Sequence, residues 1–127
     1  MSSDTSLYQM LDRSMPVAPL AIIALPSATE LGQKVSQYIS SFRKSVDEEG
    51  GAVPFHDDYY KDNYLLNVSL ERSPTGEGRA VLLESARGKD VFILVDVMNW
   101  TVTYPMNGFI NHMSPDDHYQ DLKRIIA

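Results

Sequence analysis

Val91-Phe92-Ile93-Leu94-Val95-Asp96-Val97 is the most apolar run in the chain. It shows no alternation, so it has no side reserved for water. That pattern predicts a central strand covered on both faces, as parallel sheets require. Asp96 interrupts the run near its end, where the strand tips of α/β sheets carry function. A second run of the same kind, Leu20-Ala21-Ile22-Ile23-Ala24-Leu25, lies between prolines. Ser27-Ala28-Thr29-Glu30 follows it in the pattern of a capping box, with Ser27 as the cap. Leu31, Val35, Tyr38, Ile39, Phe42 and Val46 then mark one face of a helix of about five turns. Strand, tight turn and capped helix open an α/β unit, so the expected fold is α/β, a mostly parallel central sheet flanked by helices.

Outward from these runs the signals differ. Tyr64 to Glu71 partly alternates and reads as a strand, Ser73-Pro74-Thr75-Gly76 is turn chemistry, and Gly78 to Glu84 reads as a second strand. Residues 64–84 are thus expected to form an antiparallel β-hairpin. Residues 47–63 mix acids, glycines and aromatics without a period and read as an exposed loop. Residues 98–113, rich in Asn, Met and aromatics, read as a long connection. Ser114-Pro115-Asp116-Asp117 is a strong helix start, with Ser114 as cap and Pro115 in the first turn. Tyr119, Leu122, Ile125 and Ile126 recur after it at helical spacing. This stripe is still running at Ala127, which is read as the front part of a longer protein; the alternative is a natural stop packed against a partner. Residues 1–15 read as an N-terminal tail, or a turn on the domain edge, and 16–127 as one α/β domain.

Composition narrows the function. The chain has 127 residues, 43% of them hydrophobic and 22% charged, which is enough apolar material for one core. The longest nearly apolar run, Pro16 to Pro26, falls well short of the roughly 20 residues a helix needs to cross a bilayer. There is no cysteine, which excludes thiolate catalysis, disulfides and sulfur-built metal sites, and fits a reducing compartment. Seventeen acidic against eleven basic residues give a net charge of −6. The basic residues do not cluster, so neither nucleic acid nor an anionic membrane is an expected partner.

No strong catalytic motif is present, and Gly76-Glu77-Gly78 lacks the context of a dinucleotide fingerprint. His112, Asp116, Asp117 and His118 are close enough in sequence to ligate a metal, but the two aspartates are equally explained by the helix start. Asp57 and Asp58 can hold magnesium or simply face water. Tyr8, Tyr59, Tyr60, Tyr64, Trp100, Tyr104 and Phe109 can stack a ring or belong to the core. The amides behind Ser27 can hold an anion, as those of any helix can. Ser85-Ala86-Arg87-Gly88-Lys89 is more pointed. A hydroxyl, a guanidinium, a glycine that bares the backbone and an ammonium within five residues suit a phosphate; the other reading is a solvated β-turn.

Gly76-Glu77 and, six residues on, Glu84-Ser85-Ala86-Arg87-Gly88-Lys89-Asp90-Val91-Phe92-Ile93 resemble the N-terminal half of ribose-phosphate pyrophosphokinases (phosphoribosyl pyrophosphate synthetases). The resemblance spans roughly residues 17–127. It is strong at 76–97 and moderate over Met113-Ser-Pro-Asp-Asp-His-Tyr-Gln-Asp-Leu-Lys-Arg-Ile-Ile. Across 47–70 it is weak, where this chain carries an insertion. It implies a phosphoribosyltransferase-like α/β domain. The family transfers the diphosphate of ATP to ribose 5-phosphate, with Mg2+, for nucleotide biosynthesis, and its enzymes are cytoplasmic homo-oligomers.

The resemblance also implies roles. Gly76 and Glu77 match the end of a Phe-x-Asp-Gly-Glu motif that contacts the adenine of ATP, while Ser73 and Thr75 replace its aromatic and its acid. Ser85 and Arg87 match positions that hold a regulatory phosphate. The loops that carry catalysis lie beyond residue 127 in the family, so no catalytic residue is assigned here and the isolated chain is expected to be inactive. The expected partner is the C-terminal half of the same protein. The alternatives are a non-catalytic regulatory or assembly homologue and a generic anion-binding α/β module.

Overall fold

The computed structural model describes residues 18–48 and 59–127. The N-terminal tail with Tyr8, and the stretch Phe55-His56-Asp57-Asp58, lie outside the described residues. Strand β1 (Leu20–Ala24) pairs in parallel with β4 (Asp90–Leu94), Leu20 opposite Asp90 and Ala24 opposite Leu94. These are the two apolar runs read as strands; β1 is buried, but β4 pairs only with β1 among the described residues and leaves Phe92 exposed, so it is not the central strand covered on both faces that its composition predicts. A short extended segment flanks β1 on its other side: Ile22 donates to Tyr64 O at 2.8 Å and Leu66 donates to Ile22 O at 2.8 Å. That segment leads into β2 (Val68–Arg72), which forms an antiparallel hairpin with β3 (Gly78–Leu82), Val68 opposite Leu82. The hairpin expected over 64–84 is present, shorter at both ends.

The result is a mixed α/β domain with one short parallel pair and two antiparallel hairpins, rather than a mostly parallel sheet. The second hairpin is a correction. Residues 98–113 hold β5 (Thr103–Met106) and β6 (Phe109–His112), joined by Asn107-Gly108. Both turn residues have positive φ, 52° and 82°, as a type I′ turn demands of its two central positions.

Helix α1 (Thr29–Glu48) lies on one face of β1 and β4, against Leu20, Ile22 and Leu94. Its packing face is the expected one only in part: Val35 and Ile39 turn toward the sheet. Leu31 and Tyr38 are exposed, whereas Gly32, Ser36 and Ser40 are buried with Val35 and Ile39 beside them. A Cβ on Gly32 would sit 2.5 Å from Ala24 Cβ, so glycine is what lets the helix approach the strand. Ser36 Oγ accepts from Tyr64 N at 2.8 Å and donates to Asn63 Oδ1 at 3.1 Å, satisfying the polar groups that this approach buries. The loop expected over 47–63 is corrected at both ends: α1 runs through Glu48, and Tyr59 is buried under the Arg43 guanidinium.

Helix α2 (Pro115–Ile126) starts as expected. Ser114 Oγ accepts from Asp117 N, and Asp117 Oδ2 accepts from Ser114 N at 2.9 Å, a full capping box. Leu122 and Ile125 join the core on the opposite face of the sheet, with Ile23, Leu25 and Leu66. Tyr119 and Ile126 are exposed, while His118 and Asp121 are buried. The helix is therefore turned so that two polar residues, not two apolar ones, complete its inner stripe. Among the described residues no helix is long and apolar enough to cross a membrane.

Candidate functional site

The Ser85–Lys89 turn leads directly into β4. Arg87 N donates to Ser85 Oγ at 3.2 Å and Lys89 N donates to Ala86 O at 3.3 Å. Gly88 has φ +73°, and a side chain there would meet nothing within 4 Å. The glycine thus serves the backbone shape rather than the packing. Ser85 and Arg87 are exposed, and neither the Arg87 guanidinium nor the Lys89 ammonium has an ion pair or hydrogen bond among the described residues. Of the two flanking acids, Glu84 accepts from Asn67 Nδ2 at 2.7 Å, and Asp90, exposed at the start of β4, forms no ion pair among the described residues. Two uncommitted cations on a fixed turn, with no carboxylate between them, can meet an oxyanion without first breaking a bond.

Gly76 and Glu77 sit at the tip of the β2–β3 hairpin. Gly76, at φ +86°, donates from N to Ser73 O at 2.8 Å, and its carbonyl accepts from Arg72 Nη1 at 3.1 Å. Glu77 is exposed. Ser73 Oγ and Thr75 Oγ1 are hydrogen-bonded to each other at 2.6 Å. A Cβ on Gly76 would lie 2.8 Å from Met106 Sδ, so this tip rests on the β5–β6 hairpin. The five residues of β3, about 17 Å of extended chain, lie between Gly76/Glu77 and Ser85/Arg87. The structure does not bring the two pairs together.

At the other end of the parallel pair lies a crevice. β1 is followed by α1 on one face, and β4 leads through the β5–β6 hairpin to α2 on the other, so the chain diverges between their C-terminal ends, where residues 26–31 with Lys34, Asp96 and Asn99 line the crevice. Ser27 is not a cap here. It lies in a 3-10 turn, Pro26–Ala28, and its Oγ accepts from Asp96 N at 2.9 Å instead. Asn99 Nδ2 donates to Ser27 O at 3.0 Å, tying the two strand ends together. Asp96 Oδ1 accepts from Met98 N at 3.0 Å and shapes the following turn.

The His112, Asp116, Asp117, His118 grouping does not converge. Asp117 closes the capping box. His118 is buried with Nε2 2.7 Å from Asn99 O; a carbonyl only accepts, so that nitrogen carries the proton and cannot ligate a metal. His112 Nδ1 likewise donates to Trp100 O at 2.8 Å. Among the described residues no group of three metal-ligating side chains is present.

One cluster was not anticipated from sequence. Arg72 Nη2 donates to Asp121 Oδ1 at 3.2 Å, joining the β2–β3 hairpin to α2. The Arg72 guanidinium also lies 4.5 Å from the centre of the Tyr104 ring on β5. Burial pushes the Asp121 carboxyl above its ordinary value, against the pull of Arg72, Arg124 and His118. The pair borders a cavity of about 350 Å3 between the two hairpins and α2. The only local signal for Asp121 is its phase: it falls on the stripe of Leu122 and Ile125, where a charge demands a buried partner.

Comparison of the chain with protein-family models, with curated proteins and with solved structures finds no match.

Proposed function

We propose that this chain is the N-terminal, phosphoribosyltransferase-like α/β domain of a ribose-phosphate diphosphokinase, with Ser85 and Arg87 holding a phosphate that regulates the parent enzyme. The observation that carries this reading is the Ser85–Lys89 turn. Its backbone is fixed by the Ser85 Oγ bond and by Gly88, and the two cations it presents are uncommitted among the described residues. The sequence resemblance at 76–97 supplies the reaction class; the turn supplies the anion chemistry. In the parent, positioning and charge neutralisation account for most of the acceleration of diphosphate transfer, with Mg2+ on the ATP phosphates. None of the residues assigned here performs that step. Phe92, 61% exposed beside α1 on the most apolar strand, supports a further element packed alongside that helix, which we assign to the C-terminal half of the same protein in a cytoplasmic homo-oligomer.

A second reading, a non-catalytic regulatory or assembly homologue, is favoured by the hairpin tip. Ser73 and Thr75 stand where the motif has an aromatic and an acid; they hydrogen-bond to each other at the exposed tip and offer a base neither a ring to stack on nor a carboxylate. Two measurements test the proposal. Purified residues 1–127 should give no AMP from ATP and ribose 5-phosphate, and turnover would refute the assignment of catalysis to the missing half. Calorimetry should show phosphate binding that weakens about tenfold in Arg87→Ala, the loss of one charge-assisted contact. Equal affinity in both proteins would remove the regulatory-phosphate role.

A further inference from the structure

The β5–β6 hairpin differs from the rest of the chain in charge. Between Asp96 and Asp116 there is no Asp, Glu, Lys or Arg, the longest such stretch in a chain of net charge −6. One side of the hairpin is seated on the domain. The Arg72 guanidinium lies over Tyr104, Met106 rests against Gly76, and residues 102–105 line the cavity shared with β2. β5 therefore faces the domain and β6 faces outward, paired only with β5 among the described residues. Phe109 is 73% exposed, Ile110 77%, and Trp100, stacked on His112, 62%.

The outer side of β6 is an open sheet edge. In a two-residue hairpin the pair flanking the turn, here Met106 and Phe109, is hydrogen-bonded, so the N–H and C=O of Ile110 and His112 point away from β5. Among the described residues nothing hydrogen-bonds to these groups. Natural edges are blunted by charge or by proline. The β5 edge has Pro105, which lacks an N–H; the β6 edge has neither device.

We propose that β6 is the edge through which this chain self-associates: two copies pair β6 with β6, antiparallel about a two-fold axis at Asn111, into one continuous sheet. In that register Ile110 lies opposite His112 of the second copy, and the outward N–H and C=O groups satisfy one another. Charge selects a second copy as the occupant. Two chains of −6 repel where their acids meet, and along this stretch there are none to meet. A strand paired antiparallel with itself offers the same groups from both sides. With the β5 edge closed by Pro105, the assembly ends at a dimer instead of a fibre. Phe109, Ile110 and Trp100 with the edge backbone offer on the order of 500 Å2 per copy, so the dimer buries about 1,000 Å2, near the lower limit of a specific interface. That area fits a reversible dimer of micromolar affinity. The inference gives the proposed homo-oligomer a surface, yet it rests on the hairpin alone and stands or falls apart from phosphate binding at Ser85–Lys89.

Sedimentation equilibrium of residues 1–127 tests it. The mass should be that of two chains at about 100 µM and of one chain after dilution below about 1 µM. Added salt should strengthen the dimer, because it screens two like-charged chains and no ion pair crosses the interface. Amide exchange at Ile110 and His112 should slow at the higher concentration. Ile110→Lys, at an exposed position, sets a cation beside the axis in each copy and should weaken association at least about tenfold. Leu83→Lys adds the same charge at an exposed apolar residue beyond the other hairpin and should leave association unchanged. A one-chain mass at every concentration, a dimer that Ile110→Lys leaves intact, equal weakening by Leu83→Lys, dissociation by salt, or unslowed exchange at Ile110 and His112 would overturn the proposal.

Discussion

Replacing Asp121 by alanine should cost more stability than any substitution on the outer surface. Its side chain is 7% exposed and that of Arg72 is 11% exposed, so removing the acid leaves a guanidinium buried without its counter-charge. Breaking such a pair costs roughly 3–5 kcal/mol. Arg72 keeps its bond to Gly76 O and its place over Tyr104, and water can enter the neighbouring cavity. Those residual contacts place the expectation at the low end, about 3 kcal/mol, or a melting temperature lowered by roughly 10 °C for a chain of this size. The double variant Arg72→Met/Asp121→Leu removes both charges and should recover to within about 1 kcal/mol of wild type, because it also removes two desolvation penalties. Urea melts of wild type, Arg72→Met, Asp121→Leu and the double variant give the coupling directly. A loss under about 1 kcal/mol in Asp121→Ala, or a double variant no more stable than the single one, would show that the pair is not the buried link described here.

Three further outcomes are expected. Gly32→Ala should destabilise by about 1–2 kcal/mol in chemical melts, since the clash with Ala24 outweighs a gain of about 1 kcal/mol in helix propensity; a more stable variant would mean that α1 is not seated on β1 through this glycine. Because burial raises the Asp121 proton affinity in the folded state, its contribution to stability is full below the ordinary aspartate range and is lost as pH rises through the folded value. Wild type should therefore gain stability relative to Asp121→Asn as the solution is acidified, and the opposite trend would contradict the direction of the shift. Ser27→Ala should cost about 1–2 kcal/mol and speed amide exchange at Asp96, whose N–H loses its acceptor, while Glu30→Ala should be nearly silent; the reverse ranking would restore Ser27 and Glu30 as a capping box.

The elements most legible in the sequence were those whose determinants are local. The two unbroken apolar runs are the parallel strands, Ser73-Pro74-Thr75-Gly76 turns the β2–β3 hairpin, and Ser114-Pro115 starts α2. Asn107-Gly108 carried an equally local hairpin signal, masked by the aromatic and methionine content around it. The face of α1 is legible at Val35 and Ile39 but not at Leu31 and Tyr38, because close approach rather than hydrophobicity decides there. Glycine and serine allow contact with β1, and the large side chains of Leu31 and Tyr38 are left outside. Ser27 was misassigned for a related reason: its hydroxyl bonds to an amide 69 positions away, which no cap pattern contains. Asp121 was the least legible. Its burial depends on Arg72, 49 residues earlier, and on Tyr104 from a hairpin read as a connection. At the Ser85–Lys89 turn, spacing and chemistry were visible in sequence. The lack of competing partners for its cations became visible only in the fold.

The most direct measurement is a titration of 15N-labelled residues 1–127 with inorganic phosphate, read amide by amide. The account predicts saturable shifts centred on Ser85, Arg87, Gly88 and Lys89, requiring about tenfold more phosphate in Arg87→Ala and weakened by salt. Shifts centred on the first turn of α1, or none at all at the Ser85–Lys89 turn, would contradict it.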